Sequence, residues 1–195
     1  MFLNQGLRQR RSQAAQHEYD YNLDLVKKVL HTQITSELNY FKITPPSADD
    51  TLKKYNLSAK SYIVVHPGMM GSALNWPQSE YIKCIHRLIQ QGHRIVITGT
   101  ASDEAYLNEI KAEFLKNPNV TCLQSKLNLK ELIEVLFFAS YVIAPSTGVA
   151  HLAASVGTAI KGIYSPVQVH HPRRWAPRGP HVEVFMLPEV NAECF

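Results

Sequence analysis

Two hydroxyls and a glycine, Ser146-Thr147-Gly148, follow the break at Pro145 that ends an apolar run, Tyr141-Val142-Ile143-Ala144, and lead into a helix-like stretch, Val149 to Val156. A strand that feeds a helix through such a turn aims three things at one point: free backbone N–H groups, the positive end of the helix dipole, and side-chain hydroxyls. Together they suit a phosphate. The plainer reading makes Ser146 or Thr147 an ordinary N-cap, Gly148 a first-turn residue and Gly157 the C-terminal stop. His151 lies one helical turn beyond Thr147, where its ring could face the same anion or fill a polar gap under a sheet edge. Ser146 is not a convincing hydrolase nucleophile, because no glycine precedes it at nucleophile-elbow spacing and no acid partner follows in the expected order.

Two more turns hold residues of the same kind. His66-Pro67-Gly68-Met69-Met70-Gly71-Ser72-Ala73-Leu74-Asn75-Trp76-Pro77 follows an apolar run, and Gly68, Gly71 and Ser72 would let backbone approach a pyrophosphate. It matches neither the Walker loop nor the dinucleotide fingerprint, so by itself it is equally a loop turning back over a sheet edge. In Gly99-Thr100-Ala101-Ser102-Asp103-Glu104, a carboxylate after a strand could meet ribose hydroxyls, which makes Asp103 and Glu104 candidates. Acids in a helix's first turn also complement its dipole with no ligand involved. His170-His171 beside Arg173 and Arg174 could hold a metal or an anion, but two adjacent histidines without a third spaced ligand read first as a solvated loop.

The elements that must position these turns alternate. Strands are expected over 61–66, 93–98, 120–123, 141–144 and 159–164, with a sixth over 181–185; helices are expected over 79–91, 102–116, 129–138 and 149–156. Short apolar strands alternating with helices imply a parallel sheet covered on both faces, so the fold class is α/β, doubly wound and Rossmann-like. Ligands of such sheets bind beyond the carboxyl ends of the strands, where the strand order reverses. All three turns then fall on one edge. Residues 1–42 read as a helical arm, with Leu23, Val26 and Leu30 at helical spacing in a helix over 17–30; 43–60, opening on Pro45-Pro46, reads as a linker; 61–195 is the main domain.

Composition narrows the classes. The chain has 195 residues, 45% apolar and 18% charged, enough for one ordinary core and an appendage. A net charge of +4, with no basic stripe interleaved with aromatics, gives no reason to expect nucleic acid as a partner. Cys84, Cys122 and Cys194 lack paired spacing, which argues against a disulfide framework or a zinc site and fits a reducing compartment. With no signal-peptide pattern and no spanning segment, a cytoplasmic location is expected.

Taken in order, these stretches resemble the C-terminal half of the glycosyltransferase family 9 enzymes, the lipopolysaccharide heptosyltransferases. The resemblance rests on His66-Pro67-Gly68 closing on Asn75-Trp76-Pro77, on Ser146-Thr147-Gly148-Val149-Ala150-His151-Leu152-Ala153-Ala154, and on Tyr164-Ser165-Pro166 followed by Arg174-Trp175-Ala176-Pro177. It covers about residues 17 to 180, and three motifs in register are far more specific than one. The resemblance implies a GT-B architecture whose C-terminal domain holds a nucleotide-diphosphate sugar, usually ADP-heptose. Transfer would be inverting, without metal or other cofactor, to a lipopolysaccharide core acceptor, and compatible with peripheral contact at the cytoplasmic face of the inner membrane. Carried over, Thr147, Gly148 and His151 match residues around the donor diphosphate, Glu104 the ribose contact, and Leu127 an apolar contact to adenine. Gly68, Met69, Met70, Gly71, Ser72, Gly99 and Ser146 complete the expected donor site.

The chain departs from the family at two positions. Many members have Asp at Ser146, contacting the donor sugar, and a Lys or Arg at Leu74, meeting the phosphates. The general base is expected on an N-terminal acceptor domain that these residues do not include, so the chain alone should not catalyse transfer, and its joining helix and residues 166–177 should expose apolar surface. The alternative is a non-catalytic nucleotide-sugar binding module.

Overall fold

The computed structural model describes residues 6–33, 41–44, 49–69 and 75–186. Six parallel strands form one sheet: β1 (Tyr62–Val65), β2 (Arg94–Ile97), β3 (Val120–Cys122), β4 (Tyr141–Pro145), β5 (Ala159–Tyr164) and β6 (Val182–Met186). Their order is β3-β2-β1-β4-β5-β6, so the sheet reverses direction between β1 and β4. Val64 lies between Val96 and Val142 in the parallel register. This is the Rossmann-like α/β fold expected from the sequence.

The central strands are apolar throughout because both of their faces are buried. On one face Tyr62, Val64, Val96, Val142, Ala144 and Ile160 pack under α5 (Leu129–Phe137) and α6 (Gly148–Ser155). On the other, Ile63, Val65, Ile95, Ile97 and Ile143 meet α3 (Gln78–Gln90) and α4 (Asn108–Phe114). α3 presents Tyr81, Ile85 and Leu88 at helical spacing and is followed by Gly92 in the left-handed region, φ +86°. α5 opens with a reciprocal capping box: Asn128 Oδ1 accepts from the Glu131 N–H, and Glu131 Oε2 from the Asn128 N–H, both at 2.9 Å. α6 buries Ala150, Ala153 and Ala154, whose small side chains bring its axis close to the sheet and set its N-terminus over the β4 edge.

The structure corrects the element boundaries in three places. The helix expected over 102–116 is split into a 3-10 turn, Ala101–Tyr106, and α4. Asp103 folds back on its own turn, Oδ2 accepting from both the Thr100 N–H and the Thr100 hydroxyl at 2.8 Å, and the chain breaks at Leu107. The stretch read as a linker carries α2 (Asp49–Lys54), held by Leu52 in the core and by a buried Thr51 hydroxyl donating to Glu134 Oε2. A short helix, α7 (Pro172–Trp175), also forms where none was expected.

The arm contains α1 (Glu18–Leu30), capped by His17, whose Nδ1 accepts from the Tyr19 N–H at 3.1 Å. Its other ring nitrogen therefore carries the proton and donates to Ala176 O at 2.7 Å. Glu18 pairs with Arg174 and Arg11, and Asp20 with Arg178. The arm is thus clasped to residues 168–178 by polar contacts. Val26, Val29, Leu30, Val167 and Val169 remain exposed, while Pro172 and Pro177 are buried.

Candidate functional site

Three strand ends converge where the sheet order reverses. A cavity of about 410 Å³ is walled by His66, Gly68 and Met69 after β1, by Thr98, Gly99, Thr100 and Asp103 after β2, and by Thr147, Gly148 and Val149 after β4. Leu127, Leu132 and Leu152 close its apolar side. One side thus suits a flat apolar group and the opposite side a polar or anionic one.

The polar side is buried chemistry. His66 is 7% exposed, with Nδ1 3.0 Å from Thr98 Oγ1. Burial lowers its pKa to about 4, against opposing contributions from Asp103 and Thr98, so the ring is neutral at neutral pH. Asp103 is 2% exposed; its Oδ1 is buried without a hydrogen-bond partner, a costly arrangement in a cavity wall. Gly68 makes room for it. A Cβ on Gly68 would lie 2.2 Å from Asp103 Cγ, so Gly68→Ala must push the carboxylate out of place. We expect that substitution to cost about 1–3 kcal/mol as overpacking, read by urea denaturation against the parent chain.

Thr147 occupies the N-cap of α6 with extended backbone, φ −136° and ψ 166°, yet its hydroxyl makes no capping bond. Thr147 Oγ1 is buried without a partner, and a turn about χ1 would exchange it with the methyl group. Of the first-turn N–H groups, that of Ala150 donates to Thr147 O at 3.1 Å, while those of Gly148 and Val149 have no acceptor within the helix. A Cβ on Gly148 would meet nothing within 4 Å, so the space over the helix start is open. Thr147 and Gly148 also border a second cavity, of about 540 Å³, with Ser146, His151, Val169, His170, Arg174 and Trp175. Ser146 lies beside the buried Tyr164 phenol, whose own pKa burial raises. The His151 pKa is lowered, first by desolvation and then by His17, although the side chain keeps an open surface at the cavity mouth.

Of the candidate residues, Gly68, Met69, Gly99, Leu127, Thr147 and Gly148 line the first cavity, while Ser146 and His151 join Thr147 and Gly148 at the second. Met70, Gly71, Ser72 and Leu74 lie outside the described residues. Glu104 is not in either wall. Its side chain is 58% exposed and is held by Lys111 at 2.6 Å and by Gln124 Nε2 at 3.0 Å. Its neighbour Asp103 takes the place in the cavity. Thr98, Thr100, Leu132, Val149 and Leu152 were not singled out from the sequence; their position at strand ends or on the first turns of α5 and α6 was the available signal. Among the described residues no group of three or more His, Cys, Asp or Glu is placed to hold a metal ion, and no helix is long and apolar enough to cross a membrane.

The model of glycosyltransferase family 9 (heptosyltransferase) matches residues 2–195. The chain belongs to glycosyltransferase family 9. Similar members of known description include lipooligosaccharide heptosyltransferase 2 of Haemophilus influenzae, 30% identical over 135 residues, covering 65% of this chain and 39% of that protein. A putative glycosyltransferase of the same organism is 29% identical over 184 residues, 89% of this chain and 53% of its own length. The chain therefore spans about half the length, or less, of these relatives. The fold matches the family 9 glycosyl transferase of Veillonella parvula with a TM-score of 0.74 at 16% identity, over 94% of this chain and 51% of that one. It matches the Escherichia coli heptosyltransferase WaaC with ADP with a TM-score of 0.63 at 22% identity, over 87% and 50%. The six-stranded sheet is thus the Rossmann-like half of the family's GT-B fold.

Proposed function

We propose that this chain binds the nucleotide-diphosphate sugar donor, of ADP-heptose type, for an inverting transfer without metal in lipopolysaccharide core synthesis, and that transfer needs an acceptor-binding half in addition. The observation that carries this reading is the helix start at Thr147 and Gly148, set between an apolar-walled cavity and a polar one. The base would lie against Leu127, Leu132 and Leu152, and the diphosphate would cross the open space at Gly148.

In that pose the backbone N–H groups of α6 and the Thr147 hydroxyl stabilise negative charge as it grows on the departing diphosphate, the work an oxyanion site does. They are preorganised, so no reorientation is needed during bond cleavage. Asp103, in the cavity wall, is better placed than the exposed Glu104 to accept hydrogen bonds from ribose hydroxyls, which would satisfy its unpartnered oxygen. The neutral His66 ring leaves the site without an added buried positive charge on its β1 side. The acceptor's general base belongs, on this reading, to the other half of the enzyme.

Thr147→Val keeps the shape of the side chain and removes only the hydroxyl. We expect it to weaken ADP binding about 10-fold, the worth of one hydrogen bond to a charged group, with the melting temperature of the ligand-free chain unchanged or slightly raised. An affinity equal to that of the parent chain would separate Thr147 from the ligand and remove the main support for this pose.

A further inference from the structure

The second cavity has a charge character of its own. Its walls, Ser146, Thr147, Gly148, His151, Val169, His170, Arg174 and Trp175, include a guanidinium and two imidazoles and no carboxylate. Ser146 contributes only a neutral hydroxyl, so nothing within the wall opposes the guanidinium.

Arg174 is well held. Its Nε donates to Glu18 Oε2 at 2.7 Å, its Nη1 to Arg11 O at 3.0 Å, and its guanidinium carbon lies 4.5 Å from the centre of the Trp175 ring. Trp175 is itself pinned by its indole N–H donating to Val169 O at 2.8 Å. Glu18 does not neutralise Arg174 fully, because its other oxygen pairs with Arg11. Two guanidiniums sharing one carboxylate leave the Arg11–Glu18–Arg174 cluster with one net positive charge, and Arg174 is its member in the cavity wall. Asp20, the next acid on α1, is taken by Arg178. A planar guanidinium, stacked and only 14% exposed, is a preorganised partner for a carboxylate or phosphate.

We infer that the second cavity is an anion-binding subsite that takes a carboxylate or phosphate monoester lying beyond the donor diphosphate. This rests on the donor reading, since that reading puts the diphosphate at Thr147 and Gly148, between the two cavities. The anion belongs to the acceptor that attacks the sugar when the transferred sugar is a neutral heptose, and to the sugar itself only when the donor carries an acidic sugar in its place. Arg174 binds it, and Glu18 tempers how strongly.

The test is calorimetry on the full chain saturated with ADP, with glucose 6-phosphate as probe and glucose as control. Glucose 6-phosphate should bind alongside ADP, and glucose at least about 10-fold more weakly. Arg174→Gln should weaken glucose 6-phosphate about 10-fold. Glu18→Gln should tighten it severalfold, because the guanidinium loses its competing carboxylate; damage to the arm alone would weaken binding in both variants. Binding of the probe only when ADP is absent, equal affinity in Arg174→Gln, or weaker affinity in Glu18→Gln would overturn the inference. Should ADP itself not bind, the donor reading fails, and the same two variants titrated without ADP still decide whether Arg174 marks an anion site. ADP-glucuronate binding about 10-fold tighter than ADP-glucose, with the gain lost in Arg174→Gln, would assign the anion to the transferred sugar. Equal binding of the two, with glucose 6-phosphate bound beside ADP-glucose, would assign it to the acceptor.

Discussion

Replacing Gly148 with leucine should abolish nucleotide binding, by about 100-fold or more, and leave the fold intact. The two halves of that expectation have separate causes. The glycine is not required by the backbone: a Cβ there meets no atom within 4 Å, Gly148 is exposed, and it is absent from the positive-φ positions. Leucine has a higher helix propensity than glycine, so α6 should lose no stability and gain some, about 0.5–1 kcal/mol at most. The added side chain, however, must enter the space bordered by both cavities, which is where the proposed pose sets the diphosphate. Excluding a diphosphate from its donors forfeits several charge-assisted hydrogen bonds at once. Circular dichroism and urea denaturation check the fold, and titration with ADP checks the site. A leucine variant that binds ADP as the parent does would show that the ligand lies elsewhere.

Stability should fall steeply as the pH drops below about 6.5, and His66 should account for a large part of the fall. In the folded chain its pKa is lowered to about 4 from the ordinary histidine value of 6.5, chiefly by burial. The unfolded chain therefore binds more protons between those two values, and stability rises with pH there. The contribution is complete above pH 6.5 and is lost as the pH falls through 4. At 1.36 kcal/mol per unit, it amounts to about 3 kcal/mol. Carboxylates also titrate at the lower end, so the informative quantity is a difference. By urea denaturation, His66→Gln should lose up to about 3 kcal/mol less stability than the parent between pH 7.5 and 4. Identical pH profiles would mean that His66 is not buried as a neutral ring.

The strands were legible because a parallel sheet buried on both faces needs unbroken apolar runs, and Ile63, Val64 and Val65 or Val142, Ile143 and Ala144 leave few other readings. The turn at Thr147 was legible for a similar reason, since hydroxyl and glycine types at a strand-to-helix junction are its own signature. Asp103 and Glu104 were not separable. They are adjacent acids, and only the 3-10 turn, fixed by Asp103 bonding Thr100, decides that one enters the cavity and the other reaches Lys111. α2 was hidden because its stability comes from Glu134, 83 residues away, and from core contacts of Leu52 and Leu57 rather than from a local pattern. The charge of the second cavity was equally remote from sequence: Arg174 acquires its meaning from Glu18 and Arg11 across the fold.

The most direct test of donor binding is a calorimetric titration of the purified chain with ADP and ADP-heptose, against UDP and GDP. The proposed donor site predicts selective binding of the adenine nucleotides, lost in Gly148→Leu. Equal binding of all three nucleoside diphosphates, or binding of none by the folded chain, would contradict it.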